Sequence, residues 1–141
     1  MRFGISADYD YRSNLDEVLR AFPALIFEEY FGDKDYDDSG IEIFVVLMCR
    51  DPLWNFKQRI RFSKKENCLY MDIMLNLEQM KQADLVTRKR IVAEKLVNEI
   101  PQIIDKYKFK DFDVKRFSSD LRNWFEQQGW IDTQLDSELI T

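Results

Sequence analysis

The segment from Asp33 to Gly40 carries four carboxylates, an arrangement that resembles the start of a calcium-binding loop. An EF-hand loop needs glycine at its sixth position and a bidentate glutamate at its twelfth. Counting from Asp33 places Phe44 at the twelfth position. Counting from Asp35 places Gly40 correctly at the sixth, but Val46 occupies the twelfth. Neither frame satisfies the motif, so the sequence predicts a solvated loop or a partner contact here and no metal site.

Catalytic chemistry is restricted because the chain contains no histidine. This removes the commonest general base, together with Ser-His and Cys-His nucleophile pairs. The four glycines are scattered singly, so there is no glycine-rich loop to bind a phosphate. Paired carboxylates can still divide acid and base roles, but no pair is marked. The sequence therefore predicts no catalytic residue and no cofactor, and a carboxylate or divalent-metal-dependent enzyme is the alternative.

The acidic charge is concentrated at the N-terminal end of the chain. Residues 1–53 contain 12 acidic and 5 basic side chains, whereas residues 54–141 contain 14 and 16. Four of the six tyrosines lie in the acidic part. Carboxylates supply long-range attraction and aromatic rings supply contact area, so this region suits a basic protein partner. The residues predicted to bind a partner are Tyr9, Tyr11, Glu28, Glu29, Tyr30, Asp33, Asp35, Tyr36, Asp37 and Asp38.

A basic strand face offers a third interpretation, a nucleic-acid adaptor. Lys57, Arg59 and Arg61 alternate along a predicted strand, and such an adaptor would need them to merge with the basic residues 88–90. Charged side chains also protect exposed strands from unwanted pairing. The net charge of −5 argues against nonspecific binding to nucleic acid or to an anionic membrane. The sequence therefore favours a protein partner.

The elements that position these residues are predicted from hydrophobic periodicity, caps and turns. Glu28 and Glu29 fall near the C-terminal end of the first predicted helix, where negative charge opposes the helix dipole. This conflict marks both residues as functional candidates. The predicted elements are a strand at 2–7, a helix from about Asn14 to Phe31 interrupted by Pro23, a strand at Ile41–Arg50, a hairpin of Asn55–Ser63 with Leu69–Leu77, and helices from about Glu78 and Asp113.

This order of elements predicts an α+β fold. We expect one domain spanning residues 1–141, built as a two-layer sandwich. An antiparallel sheet of three to four strands would carry helices packed on one face. The strand at Ile41–Arg50 is apolar on both faces, which predicts a central position. At the C-terminal end, Gly129 is expected to end the last helix in a Schellman motif.

The two thiols indicate a reducing compartment. Cys49 and Cys68 lie in predicted strands, without a CxxC motif, and are interpreted as small buried side chains. The first residues contain no apolar targeting segment, and the longest apolar run, Ile43 to Cys49, is far shorter than a membrane span. The sequence therefore predicts a cytoplasmic protein without a membrane partner.

Four stretches of the chain resemble a family of small immunity proteins from bacterial polymorphic-toxin systems. The stretches are YDYRSNLDEVLRAFP (Tyr9–Pro23), FKQRIRFSKKENCLYMDIML (Phe56–Leu75), RKRIVAEKLVNEIPQIIDKYKFKDFD (Arg88–Asp113) and DLRNWFEQQGWI (Asp120–Ile131). The resemblance implies a cytoplasmic α+β protein that binds and blocks a cognate secreted toxin domain, and it implies no catalytic residues. If the toxin is a nuclease, the acidic, tyrosine-containing surface would occupy its basic cleft.

Overall fold

Four strands and three helices run through the described residues of the computed structural model, which are 2–9, 15, 36, 40–53 and 57–130. Apart from Leu15, the predicted helix between Asn14 and Phe31 lies outside these residues, and so does most of the acidic segment at residues 33–40. In chain order the elements are β1 (Arg2–Tyr9), β2 (Glu42–Arg50), β3 (Ile60–Ser63), β4 (Cys68–Asn76), α1 (Leu77–Gln82), α2 (Leu85–Tyr107) and α3 (Val114–Gln127).

The strands form one mixed sheet in the order β1-β2-β4-β3. β2 is central, as predicted, and runs parallel to both β1 and β4. Only β3 and β4 pair antiparallel, through the predicted hairpin. The α+β class is therefore confirmed, but the expectation of an antiparallel sheet is wrong. The connections explain the difference: the long segment between β1 and β2 leaves room for the crossover that parallel neighbours need, and the chain reverses direction through β3 before it enters β4 parallel to β2.

Polar side chains set the limits of β3 and β4. The hairpin turn spans residues 64–67 and ends at Asn67, whose φ of 50° suits asparagine. β4 stops at Asn76, because this side chain accepts a hydrogen bond from the backbone N–H of Gln79 at 3.1 Å and begins α1. The predicted strand residue Leu77 is consequently the first residue of a helix.

The helices begin and end at identifiable caps. The helical pattern predicted from Glu78 divides into two helices, and Asp84 begins the second by accepting from the N–H of Thr87 at 2.8 Å. Hydrogen bonds from the Thr87 side chain and then from its backbone N–H lower the pKa of the Asp84 carboxyl. The α2 helix continues through Pro101, which is buried. The predicted N-cap of α3 is confirmed, since Asp113 accepts from the N–H of Arg116 at 3.1 Å.

The C-terminal end of α3 has the predicted Schellman geometry. Gly129 has a φ of 79°, a conformation that favours glycine. Its N–H donates to the carbonyl of Glu126 at 3.0 Å, and the N–H of Trp130 donates to the carbonyl of Phe125 at 2.9 Å. Trp130 is half-buried against the core. The glycine therefore ends the helix and returns an aromatic side chain to the core.

The core lies between one face of the sheet and the helices. From the sheet it contains Ile43, Val45, Leu47, Leu69, Met71 and Ile73. From the helices it contains Val92, Leu96, Ile100, Ile104, Phe117, Leu121 and Phe125. β1 joins this layer through Phe3, whose ring stacks on Phe117 with centroids 5.3 Å apart. The prediction that the helices pack on one face is thus confirmed for the described helices.

Both cysteines are free and buried, as predicted. Burial raises the pKa of the Cys49 thiol to about 11, which keeps this sulfur protonated and unreactive at neutral pH. Among the described helices, none has the length and apolar character needed to cross a bilayer.

Candidate functional site

The predicted partner-binding residues fall mainly outside the described part of the chain. Tyr36 is the only predicted residue whose side chain the structure describes. For Tyr9 the structure describes the backbone, which is the last residue of β1. The remaining predictions lie in the undescribed segments: Tyr11, Glu28, Glu29, Tyr30, Asp33, Asp35, Asp37 and Asp38. The structure therefore describes the side chain of one predicted residue, Tyr36, in the acidic segment at residues 33–40, and the acidic surface stays a prediction.

Tyr36 anchors the acidic segment to the N-terminal end of α3. Its side chain is only 2% exposed, and its hydroxyl donates to the Asp120 carboxylate at 2.7 Å. The ring meets Phe117 edge-on with centroids 5.3 Å apart, and the Arg116 guanidinium lies 4.7 Å from the ring centre. The carbonyl of Tyr36 accepts from the N–H of Asp113 at 2.8 Å. Tyr36 therefore offers almost no contact area to a partner, and its contacts fix residue 36 against α3.

The sheet face opposite the helices carries a groove that sequence reasoning did not predict. It has a volume of about 560 Å³, and we call it the outward groove. Strand register places its side chains in two neighbouring rows across the sheet. The outward groove is lined on this face by Phe44, Val46, Arg59, Arg61, Tyr70 and Asp72. The signal in the sequence was the second apolar face of β2, which was interpreted only as evidence for a central strand.

One row of the outward groove is aromatic and ends in a cation. The rings of Phe44 and Tyr70 lie with centroids 6.0 Å apart, and the Arg61 guanidinium stands 4.7 Å from the Tyr70 ring centre. On β1, Gly4 makes room for this row, because a Cβ there would stand 2.7 Å from the Phe44 ring. Aromatic and arginine side chains together are typical of protein-binding surfaces.

The second row contains a carboxylate that is buried although it lies on the outward face of the sheet. Asp72 is 8% exposed, and its carboxylate accepts from the backbone N–H of Arg59 at 3.0 Å. Its carbonyl accepts from the side-chain amide of Gln58 at 2.6 Å. Since the Asp72 side chain takes the N–H of Arg59, regular pairing of β3 begins only at Ile60, five residues later than predicted. The described groove holds this one carboxylate, which is already hydrogen-bonded, and so supplies no acid–base pair.

Tyr70 provides a titration that tests the geometry of the outward groove. Its hydroxyl donates a short hydrogen bond to Glu66, and this bond, followed by one to Cys68, raises the pKa of the phenol to about 12. We expect Glu66→Ala to lower this pKa toward the ordinary value of 10.0, because the phenolate no longer faces the carboxylate. Tyrosinate absorbance measured against a Tyr70→Phe background isolates the signal. An unchanged titration in Glu66→Ala would contradict the contact.

The basic residues proposed for nucleic acid do not form one surface. Arg59 and Arg61 flank the outward groove. Arg88 lies on α2, in the layer on the other side of the sheet, and donates to the carbonyl of Met80 at 2.6 Å. Its neighbour Lys89 lies 5.3 Å from the ring centre of Trp130. The merged basic face that a nucleic-acid adaptor would need is therefore not present among these residues.

No group of three metal-ligating side chains occurs in the described ranges. The segment from Asp33 to Asp38, which resembles the start of a calcium-binding loop, lies largely outside them.

Comparison with known proteins identifies one family. The model of the family described as Immunity protein 44 (Imm44) matches residues 1–127, ending at the last residue of α3. The match includes the acidic segment, the Tyr36 anchor and the outward groove. No curated protein and no solved structure matches the chain.

Proposed function

The chain belongs to the immunity protein 44 family, and we propose that it binds a cognate toxin domain in the cytoplasm of the producing cell and blocks that toxin. The family match, which covers residues 1–127, is the observation that carries this proposal. On this proposal the chain acts by occupying a surface of the toxin, without catalysis and without a cofactor. The proposed partner is a protein, and the toxin domain is the expected product of the neighbouring gene.

We further propose that the acidic, tyrosine-containing segment makes the first contact with the toxin. The uneven charge of residues 1–53 supports this, because clustered carboxylates attract a basic surface over several ångströms. The Tyr36 anchor also supports it, since a segment held to α3 loses less conformational freedom on binding than a free one. A nuclease, with a basic cleft for phosphates, is the toxin class that fits best.

Co-expression tests the function itself. We expect the chain to relieve the toxicity of the neighbouring gene product in bacterial cells and to copurify with it. Toxicity that persists at equal expression, together with no copurification, would refute the proposed function.

Charge reversal tests the acidic segment. We expect the triple variant Asp35→Lys, Asp37→Lys, Asp38→Lys to slow association with the toxin at least ~10-fold at low salt, because electrostatic steering is lost. Stopped-flow mixing at two salt concentrations measures this rate. The matched control reverses three exposed acids on the helices, Glu78, Glu94 and Asp105, and gives the same change in net charge. Equal rates for the two triple variants would refute a role for the acidic segment.

A further inference from the structure

The outward groove is bordered by a local excess of positive charge in an otherwise acidic protein. Between residues 57 and 65 the chain contains five cationic side chains and no acidic one. Arg59 has 83% of its side chain exposed, although it lies 3.6 Å from Asp72. Arg61 is also exposed. The described lining of the groove contains two arginines and one aspartate, so its net charge is positive and opposite to that of the proposed acidic contact surface.

The chemistry of the groove selects a particular kind of occupant. Phe44 and Val46 are half-buried and form an apolar floor, while the two arginines stand at one side. Stacking on Tyr70 restrains the Arg61 guanidinium, so less rotamer freedom is lost when it binds a ligand. A guanidinium fork forms bidentate pairs with carboxylates and phosphates, and in a protein partner that group is a carboxylate. The complementary group is an apolar side chain next to an aspartate or glutamate.

We propose that the outward groove binds an acidic segment of the toxin in which a carboxylate stands beside an apolar or aromatic side chain. This inference rests on the proposed function, because it takes the toxin to be the partner. The carboxylate pairs with Arg59 and Arg61, and the apolar side chain lies on Phe44 and Val46. Asp72 is the only carboxylate lining the described groove; it accepts the Arg59 N–H at 3.0 Å and lies 3.6 Å from the Arg59 guanidinium, so an incoming acid shares Arg59 with Asp72 and makes its second contact with Arg61.

Two contacts of opposite sign would also determine how the toxin is oriented. A basic region of the toxin meets the acidic segment, and an acidic region meets the outward groove. If the toxin bound in the opposite orientation, its acidic region would face the acidic segment and its basic region would face the arginines. Both contacts would then be repulsive.

Replacing each arginine by glutamine, a neutral polar side chain, tests the groove without placing a second negative charge beside Asp72. We expect the pair Arg59→Gln, Arg61→Gln to weaken toxin binding at least ~10-fold, the scale of one well-formed charge-assisted contact. The matched control, Lys64→Gln with Lys65→Gln, removes the same charge from the neighbouring turn and should change binding less than ~2-fold. Titration calorimetry with the purified toxin domain measures both, after thermal melts show that the variants fold. Phe44→Ala tests the apolar floor and should also weaken binding.

Crosslinking identifies the chemistry of the occupant. Carbodiimide couples an amine to a carboxylate, so Arg61→Lys should create a new crosslink from position 61 to an aspartate or glutamate of the toxin. Mass spectrometry then shows whether an apolar residue flanks that acid, as the proposal requires.

The outcomes separate this inference from the proposed function. If wild type binds the toxin and the arginine pair binds equally well, the groove contact is refuted while the proposed function stands. Equal weakening by the arginine and lysine pairs indicates only long-range attraction and also refutes it. If wild type does not bind the toxin, both proposals fail. If wild type binds a mixed-sequence 20-nucleotide RNA, and the arginine pair loses this binding while it still binds the toxin normally, the groove is assigned to nucleic acid and the inference is overturned.

Discussion

Phe117→Ala is expected to lower the free energy of unfolding by about 3–5 kcal/mol, because it leaves a cavity where three parts of the fold meet. Phe117 is fully buried on α3. It stacks on Phe3 of β1 and meets Tyr36 and Phe112 edge-on. These neighbours belong to separate segments of the chain and cannot collapse together into the space. Chemical denaturation monitored by circular dichroism measures the loss.

Leu53→Ala is the control for this loss of apolar volume. Leu53 is 89% exposed, and its truncation should change stability by no more than about 0.5 kcal/mol. If Phe117→Ala lowers the free energy of unfolding by less than about 1 kcal/mol, the site relaxes around the smaller side chain and α3 does not hold β1 and Tyr36 together as described.

Tyr36→Ala is expected to lower the free energy of unfolding by about 3 kcal/mol, and Tyr36→Phe is expected to lower it by about 1.5 kcal/mol. The alanine variant loses the ring that contacts Phe117 and Arg116. The phenylalanine variant keeps the ring and loses only the hydroxyl that donates to Asp120. A hydrogen bond to a charged acceptor contributes more than a neutral one, particularly where water is largely excluded. Denaturant unfolding of both variants separates the two contributions.

Tyr70→Phe is a matched control, because it also removes a hydroxyl that donates to a carboxylate, here Glu66 on the surface. Its effect on stability should be clearly smaller than that of Tyr36→Phe. If the two hydroxyl deletions cost the same, burial does not strengthen the Tyr36 contact. Tyr36→Phe should also slow toxin association if the anchor holds the acidic segment in its binding conformation.

The proposed inhibitor has two separate binding contacts, the acidic segment that includes Tyr36 and the outward groove. The α3 helix contacts Tyr36 of the acidic segment, and the outward sheet face supplies the groove. A variant in one contact should leave the other contact intact, because Tyr36 contacts α3 on the core side of the sheet, whereas Arg59 and Arg61 line the outward face. Combining the Asp35, Asp37 and Asp38 reversals with Arg59→Gln and Arg61→Gln should therefore give roughly additive losses of binding free energy.

Local patterns were sufficient to predict most of the described secondary structure. A continuous apolar run indicated β2, alternation of apolar residues indicated β4, a four-residue turn indicated the hairpin, and Asp113 and Gly129 marked the ends of α3. These features depend on residues within a few positions of each other, so the sequence displays them directly. The same local reasoning predicted the α+β class and the helices on one face, and the resemblance indicated the immunity family.

The sequence by itself determined the elements, the absence of histidine chemistry and the concentration of acidic charge in residues 1–53. Tertiary structure alone decided the parallel pairing of β2, the burial of Tyr36 and Asp72, and the outward groove. Each of these depends on contacts between residues far apart in the chain, such as Tyr36 with Asp120, which leave no local periodicity. A polar side chain in an acidic segment looks solvent-exposed until the fold brings it a buried partner.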